Sequence, residues 1–127
     1  MAHTPQHGTV VWNELNSHDV EAAKGFYGRL MGWDFVPMPM GDDTYWIIRK
    51  DGTDIGGVFP MKGPEFDPIP PHWMTYLAVD DVDASTQEAT AAGGKVLKGP
   101  FDVPGVGRIA VVKDAEGAVM GWISPKM

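Results

Sequence analysis

No cysteine occurs among the 127 residues, which excludes disulfides, thiolate zinc centres and a thiol nucleophile. No apolar run reaches the roughly 18 residues that a membrane-spanning helix needs, so no membrane association is expected. The opening Met1-Ala2-His3-Thr4-Pro5-Gln6-His7-Gly8 has no basic stretch followed by an apolar one. It lacks the pattern of a secretory leader, and cytoplasmic residence is the expectation. No serine stands in a Gly-x-Ser-x-Gly elbow, so a serine triad has no support. The run Pro104-Gly-Val-Gly-Arg108 has too few glycines for a phosphate loop and leads into a strand pattern, so it reads as a turn. Positive charge is scarce: 10 Lys and Arg against 17 Asp and Glu give a net charge of −7. Such a surface gains nothing from a polyanion, so nucleic acid is not an expected partner. A cationic ligand would be attracted, though weakly at cellular salt.

Apolar residues, by contrast, are plentiful at 43%, enough for one domain covering 1–127 with a real core. An internal repeat organises it. Asp19-Val20-Glu21-Ala22 falls on Asp81-Val82-Asp83-Ala84 at an offset of 62, which also places Gly32 on Gly94. Lys50-Asp51 meets Lys113-Asp114 at an offset of 63, a slip assigned to a turn. Two modules result, about 8–62 and 70–127, joined by a Pro-rich link over 60–71.

Each module reads as strand, helix and three strands. Residues 9–16 and 73–79 are rich in β-branched and aromatic residues and predict strands. Asp19 and Asp81 are placed to cap helices over about 19–31 and 82–92, their carboxylates accepting from free backbone N–H groups. Val20, Ala23, Phe26, Tyr27, Leu30 and Met31 recur at helical spacing as one apolar stripe. Gly32 and Gly93-Gly94 supply left-handed stops. Further strands are expected at about 33–38, 44–50, 54–60, 95–99, 107–113 and 118–124, with turns at Gly41-Asp42-Asp43, Asp51-Gly52 and Asp114-Ala-Glu-Gly117. The fold class is α+β, with the order βαβββ given twice.

The pattern Asp19-Val-Glu-Ala-Ala-Lys-Gly-Phe26-Tyr27, followed by Leu30-Met-Gly32-Trp33, resembles the first helix of the vicinal oxygen chelate superfamily. That superfamily holds glyoxalase I, bleomycin-resistance proteins, fosfomycin-resistance enzymes and extradiol dioxygenases. Val79-Asp-Asp-Val-Asp-Ala84 and Asp114-Ala-Glu-Gly117 resemble its second-module signatures, and the likeness runs from about Thr9 to Pro125. It implies two modules in pseudo-two-fold repeat, with curled mixed sheets around a cavity, and a homodimer.

The resemblance also sets the places of a divalent metal's ligands in those members that use one. The first-strand ligand lies seven residues before the helix-capping Asp, at Trp12 and Met74 here. The last-strand ligand, usually Glu, lies four residues after the turn glycine, at Gly121 here, with its first-module counterpart within Gly56-Gly57-Val58. Trp, Met and Gly offer neither imidazole nor hard oxygen donors. The expectation is a member of the superfamily without the metal, and without any other cofactor; a divalent metal follows from family analogy only.

Side chains two apart on a strand share a face, so Trp12, Glu14 and Asn16 form one row and His72, Met74 and Tyr76 another. Glu14 and His72 are possible makeshift ligands, but His72 matches Val10 and Glu14 matches Tyr76 in the repeat, which sets them at different depths. Both rows are expected to face a cavity where Gly57 and Gly121 leave space. Glu14, flanked by Trp and Met, is the candidate acid/base, because desolvation disfavours its charged form; His72 and Tyr76 are candidate second proton carriers. Arg108 is a candidate partner for a ligand carboxylate, or solvates a strand end. His3 and His7 flank Pro5 in a tail expected to be disordered, and His18 is expected to be solvated in a turn.

Three functions are consistent with these residues: a metal-free protein binding a small, aromatic or cationic molecule; a metal-free lyase- or isomerase-like enzyme using Glu14; and a metal-dependent glyoxalase- or dioxygenase-type enzyme, supported by fold analogy alone. Whether the chain is catalytic stays open, and the binding protein is the leading expectation.

Overall fold

The computed structural model describes residues 5–103 and 106–125, the last of these in its backbone only. Its elements run β1 (Val10–Ser17), α1 (Val20–Met31), β2 (Asp34–Met40), β3 (Asp43–Lys50), β4 (Thr53–Pro60), β5 (His72–Ala78), α2 (Val82–Ala89), β6 (Lys95–Val103), β7 (Gly107–Lys113) and β8 (Val119–Pro125). The order βαβββ thus occurs twice. The chain groups into two compact units. One is Trp12–Met74; the other joins the described residues through Val11 to those from Thr75 on.

In the Trp12–Met74 unit the strands lie in the order β2-β3-β4-β1, antiparallel except for the parallel pair β1 and β4. Pro37 and Pro39 are tolerated in β2 because it is an edge strand, where a missing N–H costs no ladder bond. Asp51 and Gly52, both at positive φ (50° and 81°), make the tight β3–β4 turn. Leu15, Ile48 and Val58 form the core, covered by Val20, Ala23 and Tyr27 of α1 with Trp33, Phe35 and Trp46.

The expected stripe on α1 is wider than the face that packs. Val20, Ala23 and Tyr27 meet the core, whereas Phe26 (56% exposed), Leu30 (58%) and Met31 (49%) stay in solvent. Phe26 is one residue, about 100° of helix rotation, from Tyr27; Leu30 follows Phe26 at i+4, on its side of the helix. The Asp19 carboxylate accepts from the Ala22 N–H at 3.1 Å, and Gly32 ends the helix at φ 68°.

The second unit repeats the plan in the order β5-β8-β7-β6, with β5 and β8 parallel and the rest antiparallel. Val79, Val82, Ala89, Ala110 and Val112 form its core, with Val96 and Trp122 against it. Asp81 caps α2 through the Ala84 N–H at 3.2 Å. This helix ends at Ala89, one turn earlier than expected. The Ala92 N–H reaches the carbonyls of both Glu88 and Ala89, and the Gly94 N–H returns to Ala89, so the chain tightens into turns. Strand β6 runs on to Val103, past the expected end at residue 99, because register shifts around Lys98–Phe101 carry it through Pro100.

The N-terminal segment also departs from expectation. Gly8 donates to the Ala78 carbonyl (2.7 Å), Ala78 donates to Thr9 (2.8 Å), and the Asp80 N–H donates to His7 Nδ1 (2.9 Å). His7 is therefore held, not disordered, since backbone donors of this unit reach it. His3 and part of the Pro104–Arg108 turn lie outside the described residues.

Candidate functional site

The strand registers locate the family's ligand positions. Glu14 stands opposite Gly57 in the parallel pair of the first unit, and Tyr76 opposite Gly121 in that of the second. Because Glu14 and Tyr76 are repeat-equivalent, Gly57 is the counterpart of Gly121. The offset is 62 at the first strands and 64 at the last. The slip therefore accrues between the first and fourth strands, one residue of it already present at Lys50 and Lys113.

Neither glycine leaves open space. A β-carbon built on Gly57 would run into the phenol of Tyr45, and one on Gly121 into the ring of Tyr76. The expected gaps are filled because a glycine in a strand lets a ring approach the backbone closely. Tyr45 is 9% exposed and Tyr76 8%. The Tyr45 hydroxyl accepts from the Trp12 indole N–H at 2.9 Å, which fixes the half-buried Trp12.

Along β1, Glu14 and Asn16 are buried, each 6% exposed, and Asn16 Nδ2 donates to the Glu14 carbonyl at a long 3.5 Å. On β5, Met74, Tyr76 and Ala78 form the buried face. His72 at the mouth of β5 is half-buried, its Nδ1 2.9 Å from the Pro70 carbonyl. His18 is exposed, with Nε2 2.6 Å from the Ile69 carbonyl. No buried side-chain nitrogen or oxygen lacks a hydrogen-bond partner among the described residues.

Arg108 does not join these rows. On β7 it alternates with Ile109 and Val111, and Val111 is the residue opposite Gly121, so Arg108 projects from the other face, towards α2. There Nε and Nη2 donate to the Asp83 carboxylate at 2.8 and 3.1 Å, and Nη1 donates to Asp102 at 3.2 Å. The guanidinium holds the Asp83 carboxyl below the usual carboxylate range, and the two acids raise Arg108 in turn. A ligand carboxylate at Arg108 would compete with both acids. The signal was present in Asp83 and Asp102, whose approach to Arg108 becomes visible only with the β6–β7 register.

The family's divalent metal does not fit these residues. The positions that carry its ligands are Trp12, Gly57, Met74 and Gly121, and the two glycines are roofed by tyrosine rings. Among the described residues, no three His, Asp or Glu side chains come together as a metal-binding group.

The chain matches the model of the Glyoxalase/Bleomycin resistance protein/Dioxygenase superfamily over residues 8–120. It is 37% identical over 121 residues to CFP32 of Mycobacterium tuberculosis, covering 93% of this chain and 44% of that protein. It is likewise 37% identical over 123 residues to the anthracycline biosynthesis protein DnrV of Streptomyces peucetius, covering 87% of this chain and 45% of the relative. The chain thus spans about half the length of these relatives. In fold it is similar to methylmalonyl-CoA epimerase from Mycobacterium tuberculosis, with a TM-score of 0.69 at 16% identity over 100% of this chain and 94% of that one. With two βαβββ units, matching strand registers and a family match over most of its length, the chain belongs to the glyoxalase/bleomycin resistance protein/dioxygenase superfamily.

Proposed function

We propose that this chain is a metal-free small-molecule binding member of the superfamily, with the ligand held by the row Trp12, Glu14 and Asn16 and by His72 and Met74. The observation that carries the reading is the pairing of two buried polar side chains, Glu14 and Asn16, with an indole fixed beside them. Small-molecule sites combine apolar walls with a few placed polar groups, and the residues at the metal positions supply no donor. Tyr76 over Gly121 is proposed as the corresponding contact row of the second unit. An aromatic ligand agrees with Trp12 and with the relative named for anthracycline biosynthesis. The protein is further proposed to be a cytoplasmic homodimer. The exposed Phe26, Leu30 and Met31 on α1 support self-association, since exposed apolar residues in one patch mark contact surfaces.

A thermal-shift screen against a panel of aromatic amines and acids tests the binding reading. At least one compound should raise the melting temperature of the wild type and not that of Trp12→Ala. A panel whose every hit keeps its shift in Trp12→Ala would overturn the assignment of this row.

The burial of Glu14 favours one second reading, a lyase- or isomerase-like enzyme in which this carboxyl moves a proton, with His72 as the second carrier. Turnover separates the two: an enzyme converts its ligand and loses that conversion in Glu14→Gln, whereas a binder shows no conversion even in the wild type.

A further inference from the structure

On the opposite face of β1 from Glu14, the Trp12–Met74 unit holds a cleft of about 460 Å³ lined by Asn13, Trp33, Ile48, Ile55, Gly56 and Trp73. We propose that this cleft is a separate binding site for a planar aromatic cation.

Its walls are two indoles at nearly a right angle: Trp33 and Trp73 have centroids 6.1 Å apart and planes at 83°. Tyr27 locks them. It stacks on Trp33 (5.0 Å, 13°), meets Trp73 edge-on (5.6 Å, 85°), and its hydroxyl accepts from the Trp73 N–H at 3.2 Å. Trp73 is thus 43% exposed yet oriented by a ring contact and a hydrogen bond. A large exposed indole held this way is pre-organised to stack on a ligand, so little side-chain freedom is lost on binding.

The floor is kept low by Gly56. A β-carbon there would come within 2.5 Å of the Asn13 carbonyl oxygen and 3.6 Å of Ile48 Cδ1. The buried Ile48 and the 40%-exposed Ile55 make floor and rim apolar, while Asn13 gives one polar edge. The volume lies within the usual range of about 300–1,000 Å³ for small-molecule pockets.

The charge of the ligand follows from the faces offered. Indole faces attract cations, most strongly where water is excluded. Among the described residues the cations lying over rings are Lys24 on Trp46 and Lys98 on Phe101, neither of them on Trp33 or Trp73. Nearby basic groups are engaged elsewhere: Lys50 Nζ donates to the Met31 carbonyl at 3.1 Å, and Arg49 Nε to Asp54 at 2.7 Å. The chain's net charge of −7 favours a cation further.

The experiment is a fluorescence titration with 9-aminoacridine, a planar cation, alongside 9-anthracenecarboxylate, a planar anion of similar size. The cation should bind saturably at one site per chain and at least tenfold more tightly than the anion. Trp73→Ala and Ile55→Arg should each weaken it at least tenfold with the far-ultraviolet circular dichroism unchanged. Ile55 is on the rim, so its variant keeps the test sound if Trp73→Ala folds poorly. No saturable binding, equal affinity for the two probes, or affinity within twofold of wild type in Ile55→Arg would overturn the proposal.

Discussion

Gly57 and Gly121 hold the same place in the two units, yet different strands supply the ring that covers each. Over Gly121 lies Tyr76, its direct partner on the neighbouring first strand β5. Over Gly57 lies Tyr45 from β3, on the other side, because the first-strand position is Glu14. The lesson is that the glycine, rather than the tyrosine, is the repeated element: it makes a seat for a phenol, and either neighbouring strand can fill it. Filling it from β3 releases the first-strand position to carry a buried carboxyl. The two units are thus equivalent in backbone and unequal in chemistry.

The largest expected effect is steric. Gly57→Val and Gly121→Val should each destabilise by about 1–3 kcal/mol, the usual cost of overpacking. The rescue should be specific: Tyr45→Ala should recover Gly57→Val and leave Gly121→Val unrepaired, and Tyr76→Ala should do the reverse. A double-mutant cycle in denaturant checks this, and rescue of Gly57→Val by Tyr76→Ala would show that the rings have been assigned to the wrong seats.

Next in size is Tyr45→Phe, which leaves the ring and removes the acceptor of the Trp12 N–H. A loss of about 1 kcal/mol is expected from the broken hydrogen bond, together with a shift in Trp12 emission. An unchanged denaturation midpoint would mean that water replaces the hydroxyl without cost.

The helix caps sharpen the equivalence instead of breaking it. Asp19→Ala and Asp81→Ala should cost similar amounts, each about 1 kcal/mol, because each carboxylate accepts from the N–H three residues on. A large inequality between them would argue that the two helices are not held alike.

The smallest effect is on the pH dependence of the second unit. Asp83 is held low first of all by its hydrogen bonds from Arg108, and Asp114 by the N–H groups of Ala118, Glu116 and Gly117. A carboxyl depressed in the folded state contributes stability that is fully present above its unfolded value of about 3.9 and is lost as pH falls through the folded value. Stability should therefore decline below about pH 4, and the decline should be shallower in Arg108→Ala. An acid limb of unchanged slope in that variant would remove Arg108 as the cause.

Much of this architecture was legible in the residues. The Asp caps, the Gly32 stop and the Asp-Gly turn use local chemistry that acts within a few positions, so α1 and the succession βαβββ along the chain follow directly. The exposed side of α1 did not follow, because periodicity counts apolar residues without measuring how wide a face the sheet can cover. The rows of the candidate site were legible through the period of two along β1 and β5. The roofing of Gly57 by Tyr45 was not: it links positions twelve residues apart across a hairpin whose register depends on the bulge between Ile48 and Arg49. The ion pairs of Arg108 were not legible for the same reason, its acid partners arriving from α2 and β6.

None of the four family positions carries a metal donor, and the metal-free reading follows from that. Dialysis of the protein against zinc, nickel, manganese and iron(II) in turn, followed by measurement of bound metal per chain, tests it directly. Well below one ion per ten chains should remain in each case. Near-stoichiometric metal that disappears in Glu14→Gln or His72→Ala would show that neighbouring residues rebuild a centre on this scaffold, and would contradict the metal-free reading.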